Sequence, residues 1–251
     1  MYKNNLLESS NNRKIILEKG KYKVIEYQQD MSVNKVTAQA EYYAAQMNVR
    51  KRQVLCNLEN NGVVVQAGSM QIMFGDVNAK TNVSGVGDLF KKAISSTVTG
   101  ESAIKPKYTG NGQILLEPTY KHLLVEDLAD WDGGMTIDDG LFLCCDDTVT
   151  IKTVARKTLS SALLGGEGLF NTALTGSGVV VLESNVPYEE LVIVELNNDT
   201  VKIDGNMAIA WSSNLTFTVE KTTKTLIGSA ASGEGFVNVY KGTGKILIAL
   251  V

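Results

Sequence analysis

One short stretch of sequence recurs three times along this chain at a nearly constant spacing. The first copy is Gly100-Glu101-Ser102, then Tyr108-Thr109-Gly110-Asn111-Gly112, then Ile114-Leu115-Leu116. The second is Gly166-Glu167-Gly168, then Leu174-Thr175-Gly176-Ser177-Gly178, then Val179-Val180-Val181-Leu182. The third is Gly233-Glu234-Gly235, then Lys241-Gly242-Thr243-Gly244, then Ile246-Leu247-Ile248. The Gly-Glu pairs lie 66 and 67 residues apart, and the Gly-x-Gly pairs 66 and 66. A register held over three copies predicts three equivalent units stacked into one body.

Each of the first two copies is followed by a second half. Met135–Leu143 and Thr148–Ile151 follow the first, and Val201–Ile209 and Leu215–Val219 follow the second. The counterpart for the third is upstream, in Val63–Ile72 and Met73-Phe74-Gly75. The expectation is that the third repeat is closed by residues 53–80 pairing with 233–251. Such a closure removes a free sheet edge. It also predicts that Ile246, Leu247, Ile248 and Leu250 are core residues.

Val, Ile, Leu and Thr runs cut by Gly, Asn and Asp dominate from residue 53 onward, so the chain reads as all-β. Residues 1–52 read as an N-terminal extension and 53–251 as the three-repeat β domain. In the extension, Lys14–Glu18 and Tyr22–Tyr27 flank Lys19-Gly20-Lys21 and predict a hairpin. Residues 35–48 predict one amphipathic helix, with Val36, Ala40, Tyr43, Ala44 and Met47 on a single stripe and Ser32 or Asn34 as its cap. The stripe is expected to pack on the β body.

Composition removes several function classes. A net charge of -3 over 251 residues, with Arg50-Lys51-Arg52 the only dense basic run, argues against nucleic acid. Those three charges are expected to be solvated beside the helix end. No apolar run nears the ~20 residues of a membrane span, and the N-terminus carries no targeting pattern. Cys56, Cys144 and Cys145 are an odd set with an adjacent pair, which points to free thiols and a cytoplasmic setting. One of Cys144 and Cys145 is expected to face the core and the other outward.

No complete catalytic constellation is present. His122 is the single histidine, so a triad or a multi-histidine metal site has one candidate at most, and a packed or surface histidine is the simpler account. The carboxylates Glu126, Asp127, Asp130, Asp132, Asp138, Asp139, Asp146 and Asp147 form the densest acidic stretch. The segment Asp130–Gly134 lacks the third ligand and closing Glu of a calcium loop, and turn aspartates explain the stretch. The Gly-x-Gly pairs have no phosphate-loop pattern and read as strand corners. Gly100, Glu101, Gly166, Glu167, Gly233, Glu234, Gly110, Gly112, Gly176, Gly178, Gly242 and Gly244 are therefore assigned as structural repeat joints. Glu101, Glu167 and Glu234 serve separate joints or converge on an axis. Mutual repulsion favours the first arrangement. No catalytic residue, cofactor or metal is expected, and neither is hydrolase activity.

Six ordered motifs carry a resemblance: Met47–Leu55, Gln66–Met70, Gly85–Phe90, Thr99–Ser102, Gly165–Phe170 and Gly233–Phe236. Together they are similar to the bacterial branch of the AIM (altered inheritance of mitochondria) biogenesis family over roughly residues 40–251. The resemblance implies a double-stranded β-helix of three units similar to the subunit of the tryptophan RNA-binding attenuation protein (TRAP-like). It implies no catalytic residue set; fungal members are associated with inner-membrane organisation and respiratory biogenesis.

The leading functional expectation is a non-enzymatic scaffold or interaction protein with a protein partner or self-association. The alternative is a small-ligand or metal-binding cupin-like β-helix, which ordinarily needs more histidines than this chain has. Nucleic-acid binding, by analogy with the attenuation protein, ranks last because it rests on fold alone.

Overall fold

The computed structural model of the protein describes residues 2–8, 10–81, 105–155, 170–221 and 236–250. It is predominantly β, with a nearly closed barrel-like sheet and a half-barrel sheet. The expected hairpin is present: β1 (Arg13–Lys19) pairs with β2 (Tyr22–Tyr27), and Gly20 turns between them at φ +57°. It is not an appendage. β2 continues onto β3 (Arg52–Val65), with Glu26 opposite Arg52 and Tyr22 opposite Cys56. The hairpin therefore belongs to the barrel-like sheet.

Beyond β3 come β4 (Met70–Lys80) and β5 (Lys107–Leu116), and β5 lies between β3 and β4. Next come β6 (His122–Asp127), a 3₁₀ turn at Leu128–Trp131, β7 (Met135–Ile137), β8 (Phe142–Asp146) and β9 (Val149–Ala155). The following run, β10 (Phe170–Gly176) and β11 (Val179–Ser184), crosses from one sheet to the other at Gly176-Ser177-Gly178. β10 pairs with β7 and β9 in the half-barrel sheet, and β11 pairs with β6 and β8 in the barrel-like sheet. Last are β12 (Val192–Asp204), β13 (Ala208–Ser212), β14 (Thr216–Lys221) and β15 (Phe236–Ile248), with β15 flanked by the other three.

The register repeats. Val63 faces Tyr108, Met135 faces Leu174, and Val201 faces Tyr240. The β4–β5, β8–β11 and β13–β15 ladders each slip beside one pair: Met70 with Leu116, Phe142 with Leu182, and Ala208 with Ile248. Left-handed residues fall at matching places, Asn60, Asp132 and Asn198, then Gly68, Gly140 and Gly205. At the first Gly-x-Gly site the reason for glycine is crowding. A Cβ on Gly110 or Gly112 would fall on the carbonyl oxygen of Asp76 or Phe74 across the ladder.

The expected closure is not found among the described residues. Among the described residues β15 pairs only within the half-barrel sheet, while β3 and β4 lie in the other. The 13-residue β12 already occupies one edge of β15 along both its halves, and β13 and β14 take the other edge. These partners are nearer in sequence than residues 53–80, so less loop-closure entropy opposes them. Leu250 is exposed, whereas Ile246, Leu247 and Ile248 are buried as expected.

The main core lies where the two sheets meet. Trp131, Met135, Ile137, Leu174, Leu182 and Leu247 pack there, all essentially without exposure. The Trp131 indole N–H donates to Glu126 Oε2 at 3.0 Å, which satisfies the one polar group that this side chain buries. A second core inside the barrel-like sheet gathers Tyr22, Val54, Val63, Ile114 and Val181. No helix among the described residues is long and apolar enough to cross a membrane.

Candidate functional site

The helix is shorter than its apolar stripe, and that stripe does not face the core. α1 spans Ala38–Gln46. At its start, Asn34 Oδ1 accepts the N–H groups of Val36 at 2.8 Å and Thr37 at 3.2 Å, so of the expected pair Asn34 closes the turn that leads into the helix, while the N-cap position itself is Thr37. Its end is closed by Asn48 in the left-handed region, with Asn48 N–H donating to the Ala45 carbonyl and Val49 N–H to that of Ala44. Only Ala45 of the helix is buried. Val36 is 90% exposed, Met47 79% and Tyr43 59%. The expected packing through these three side chains is therefore corrected: they point away from the body. Met31, Tyr42 and Val49 are exposed as well, so a contiguous stretch of chain presents apolar and aromatic groups to solvent.

Polar bonds, not the apolar stripe, hold this helix in place. Arg50 Nε donates to the Ala45 carbonyl at 3.0 Å, and Arg50 Nη1 to Glu26 Oε1 at 2.9 Å. Arg52, 2% exposed, donates to Glu26 Oε2 through Nε at 2.9 Å, and to the Asn48 side-chain oxygen at 2.8 Å. Burial alone would raise the Glu26 carboxyl, but the Arg50 hydrogen bond and the Arg52 charge outweigh it and hold the group below its ordinary value. Lys51 pairs with Asp30 at 2.6 Å. Lys51 and the Ser32 hydroxyl hold the Asp30 carboxyl well below the usual carboxylate range. Tyr120 O–H also donates to Asp30, and its phenol is pushed up to about 12 by burial and by that bond. The basic run Arg50-Lys51-Arg52 is thus not a solvated cluster. Each of its charges is committed to a carboxylate.

The residues singled out for chemistry are dispersed. Cys144 and Cys145 are both buried, so neither faces outward as one was expected to. β8 sits between β3 and β11 with both faces covered, and Cys145 enters the main core while Cys144 enters that of the barrel-like sheet. Burial pushes both thiols up, Cys144 with a further contribution from its hydrogen bond with Cys56. Burial denies a reagent access to all three cysteines, so they are inert to alkylation in the folded protein. The expected result is no labelling by iodoacetamide at pH 8 and complete labelling after denaturation, read by intact mass. Rapid labelling of the native protein would contradict the burial.

His122 begins β6 opposite Ser184; partial burial and the nearby Arg52 charge lower its pKa. The acidic stretch divides among separate structural tasks. Asp127 accepts the Ala129 N–H and caps the 3₁₀ turn, and Asp146 accepts from Tyr22 O–H and Val179 N–H at 2.9 Å each. Asp147 pairs with Lys107 at 2.8 Å. Lys245 lies 4.2 Å over the Trp131 ring and 4.0 Å from Glu126. No group of three or more metal-capable side chains occurs among the described residues. A cleft of about 500 Å³ opens between Lys121, Asp138, Gly140, Glu183 and Met207. Gly100, Glu101, Gly166, Glu167, Gly233 and Glu234 lie outside the described residues. Gly110, Gly112, Gly176, Gly178, Gly242 and Gly244 all lie within or between ladder strands.

Known proteins share this body. An uncharacterised protein of Streptococcus pyogenes serotype M6 is 29% identical over 200 residues, covering 76% of this chain and 78% of its own. The crystal structure of a Streptococcus pyogenes protein superposes with a TM-score of 0.59 at 26% identity, covering 82% of this chain and 90% of that one. The profile of the mitochondrial biogenesis AIM24 family matches residues 43–249, which takes in the end of α1 and both sheets apart from β1 and β2. Over that span this chain belongs to the mitochondrial biogenesis AIM24 family.

Proposed function

We propose that this chain is a non-enzymatic interaction protein that presents α1 as a docking face for a protein partner. The observation that carries the reading is the exposure of Tyr43 on a helix pinned by buried ion pairs and of Val36 and Met47 beside its two ends. A helix that packed for stability would turn this stripe inward. Here the fixed polar anchor holds the apolar groups outward, which is the arrangement of a preorganised binding surface. The buried thiols and the dispersed carboxylates support a role without covalent chemistry. The free state of all three cysteines supports a reducing, cytoplasmic setting. The commitment of Arg50, Lys51 and Arg52 to carboxylates supports a protein partner over nucleic acid.

The scaffold beneath the helix is, in the same reading, a TRAP-like body of three related units: 52–116, 122–184 and 192–248. Its support is the matched register and the matched slips in the ladders. Each unit is then complete in itself, so the split third repeat is a matter of where counting begins.

The test replaces Val36, Tyr43 and Met47 together by serine. Exposed positions of this kind change stability by about ±0.5 kcal/mol each, so the melting temperature is expected to hold. In gently prepared lysates of the native host the wild-type protein is expected to elute in a larger complex than the variant. Identical elution of the two, with both folded, would overturn the docking role.

A further inference from the structure

The strand pairings between successive parts of the chain follow one rule, and the rule leaves one pair of edges unused. The end of β3 pairs with β8: Val63 with Asp146, Val64 with Cys145 and Val65 with Cys144. In the same way β7 pairs with β13: Met135 with Ser212, Thr136 with Trp211 and Ile137 with Ala210. In both cases the second half of one unit's first strand adds to the start of the next unit's second strand. Through their partners Tyr108, Leu174 and Tyr240, residues Val63, Met135 and Val201 are equivalent. Through Ile114, Val180 and Ile246, residues Met73, Cys145 and Trp211 are equivalent. The third junction by this rule joins Val201, Lys202 and Ile203 of β12 to Phe74, Met73 and Ile72 of β4. Among the described residues β12 pairs only with β15, and β4 only with β5, so this junction is not made within the chain.

Exposure follows the same division. Cys144, Cys145, Ala210 and Trp211, at paired junctions, are buried. Ile72 and Met73, their counterparts on the open edge, are 40% and 42% exposed. Being adjacent in a strand, they expose apolar groups on both faces of the sheet. Natural edges are guarded by charge, proline or a bend. The run Met70-Gln71-Ile72-Met73-Phe74 has no charge and no proline.

We infer that the chain self-associates head to tail, with β12 of one copy adding to the open edge of β4 in a second copy in the register Val201–Phe74, Lys202–Met73, Ile203–Ile72. The occupant is a second copy because the complementary strand is carried by this chain and the same junction is already built twice inside it. The contact is heterologous, so it generates rings or open chains rather than an isologous dimer. The inference rests on the three-unit reading and not on the helix surface.

Two single-cysteine additions test it, Met73→Cys and Lys202→Cys, both at exposed positions. Either variant alone, treated with a short thiol crosslinker, is expected to stay monomeric on denaturing gels, because the native thiols are buried. Mixed together they are expected to give a covalent dimer, and the double variant a ladder. A double variant that crosslinks only within one chain would overturn the second copy while leaving the three-unit reading intact. No crosslink in either arrangement, with both variants folded, would overturn the junction itself. Ile72→Lys places a charge on the edge and is expected to shift the wild-type assembly to monomer in sedimentation velocity. An unchanged sedimentation profile would count against this edge.

Discussion

Replacing Glu26 by alanine is expected to destabilise the protein more than any other single change at the helix anchor. The substitution leaves Arg52 buried with its charge uncompensated, because the other contacts to that guanidinium are neutral oxygens of Asn48 and Arg50. Breaking a buried pair by removing one partner costs ~3–5 kcal/mol. At about 2–4 °C per kcal/mol for a chain of this size, the melting temperature should fall by roughly 10 °C. The double change Glu26→Leu with Arg52→Met should recover most of the loss, since a well-packed apolar pair avoids the desolvation cost of both charges. A double variant no more stable than the single one would mean that packing, not charge, is lost. Acidity probes the same group. The folded value of Glu26 lies below that of the unfolded chain, so its contribution is complete above about 4.3 and is lost as the pH falls through the folded value. The melting temperature should drop on acidification below that point, and less so in Glu26→Gln.

Removing residues 243–251 is expected to abolish folding. The deletion strips Ile246, Leu247 and Ile248 from the cores, removes the β15 partner of β13 and takes away half the ladder of β12. Each large aliphatic group removed costs ~2–5 kcal/mol. Three together match or exceed the ~5–15 kcal/mol that holds a domain folded. Far-ultraviolet circular dichroism should show an unfolded or aggregated product. A soluble truncation with unchanged melting would show that β15 is dispensable beyond Gly242.

Much of the backbone was legible because its causes are local. The hairpin of β1 and β2 follows from alternating residues around Lys19-Gly20-Lys21. Gly110 and Gly176 sit where a Cβ would fall on a neighbouring carbonyl oxygen, of Asp76 and of Thr148, whereas Gly242 has room and is favoured by its φ of +132°. The starting point of a unit was not legible. A repeat read along a line has no marked beginning, and counting from Gly100 assigns residues 53–80 to the third copy, whereas the ladders join β3 and β4 to β5. The side of α1 was not legible either. Period alone aligns Val36, Tyr43 and Met47 but does not say what covers them. Glu26 and Arg52 lie 26 residues apart, and only the β2–β3 ladder brings them face to face. For that reason Arg50-Lys51-Arg52 reads in the sequence as a solvated cluster, while in the fold it is the anchor of the helix. The adjacent cysteines were misjudged on the same ground. Alternation along β8 sends them to opposite faces, and the two faces prove to be two cores.

The claim that α1 exists to be bound is tested most directly by a photoreactive amino acid placed at position 43 and activated in living cells of the native host. Position 188, another exposed tyrosine on the far part of the chain, serves as the control. The account predicts one discrete adduct from position 43, carrying a second protein, and none from position 188. Adducts that are absent from position 43, or identical from both positions, would contradict it.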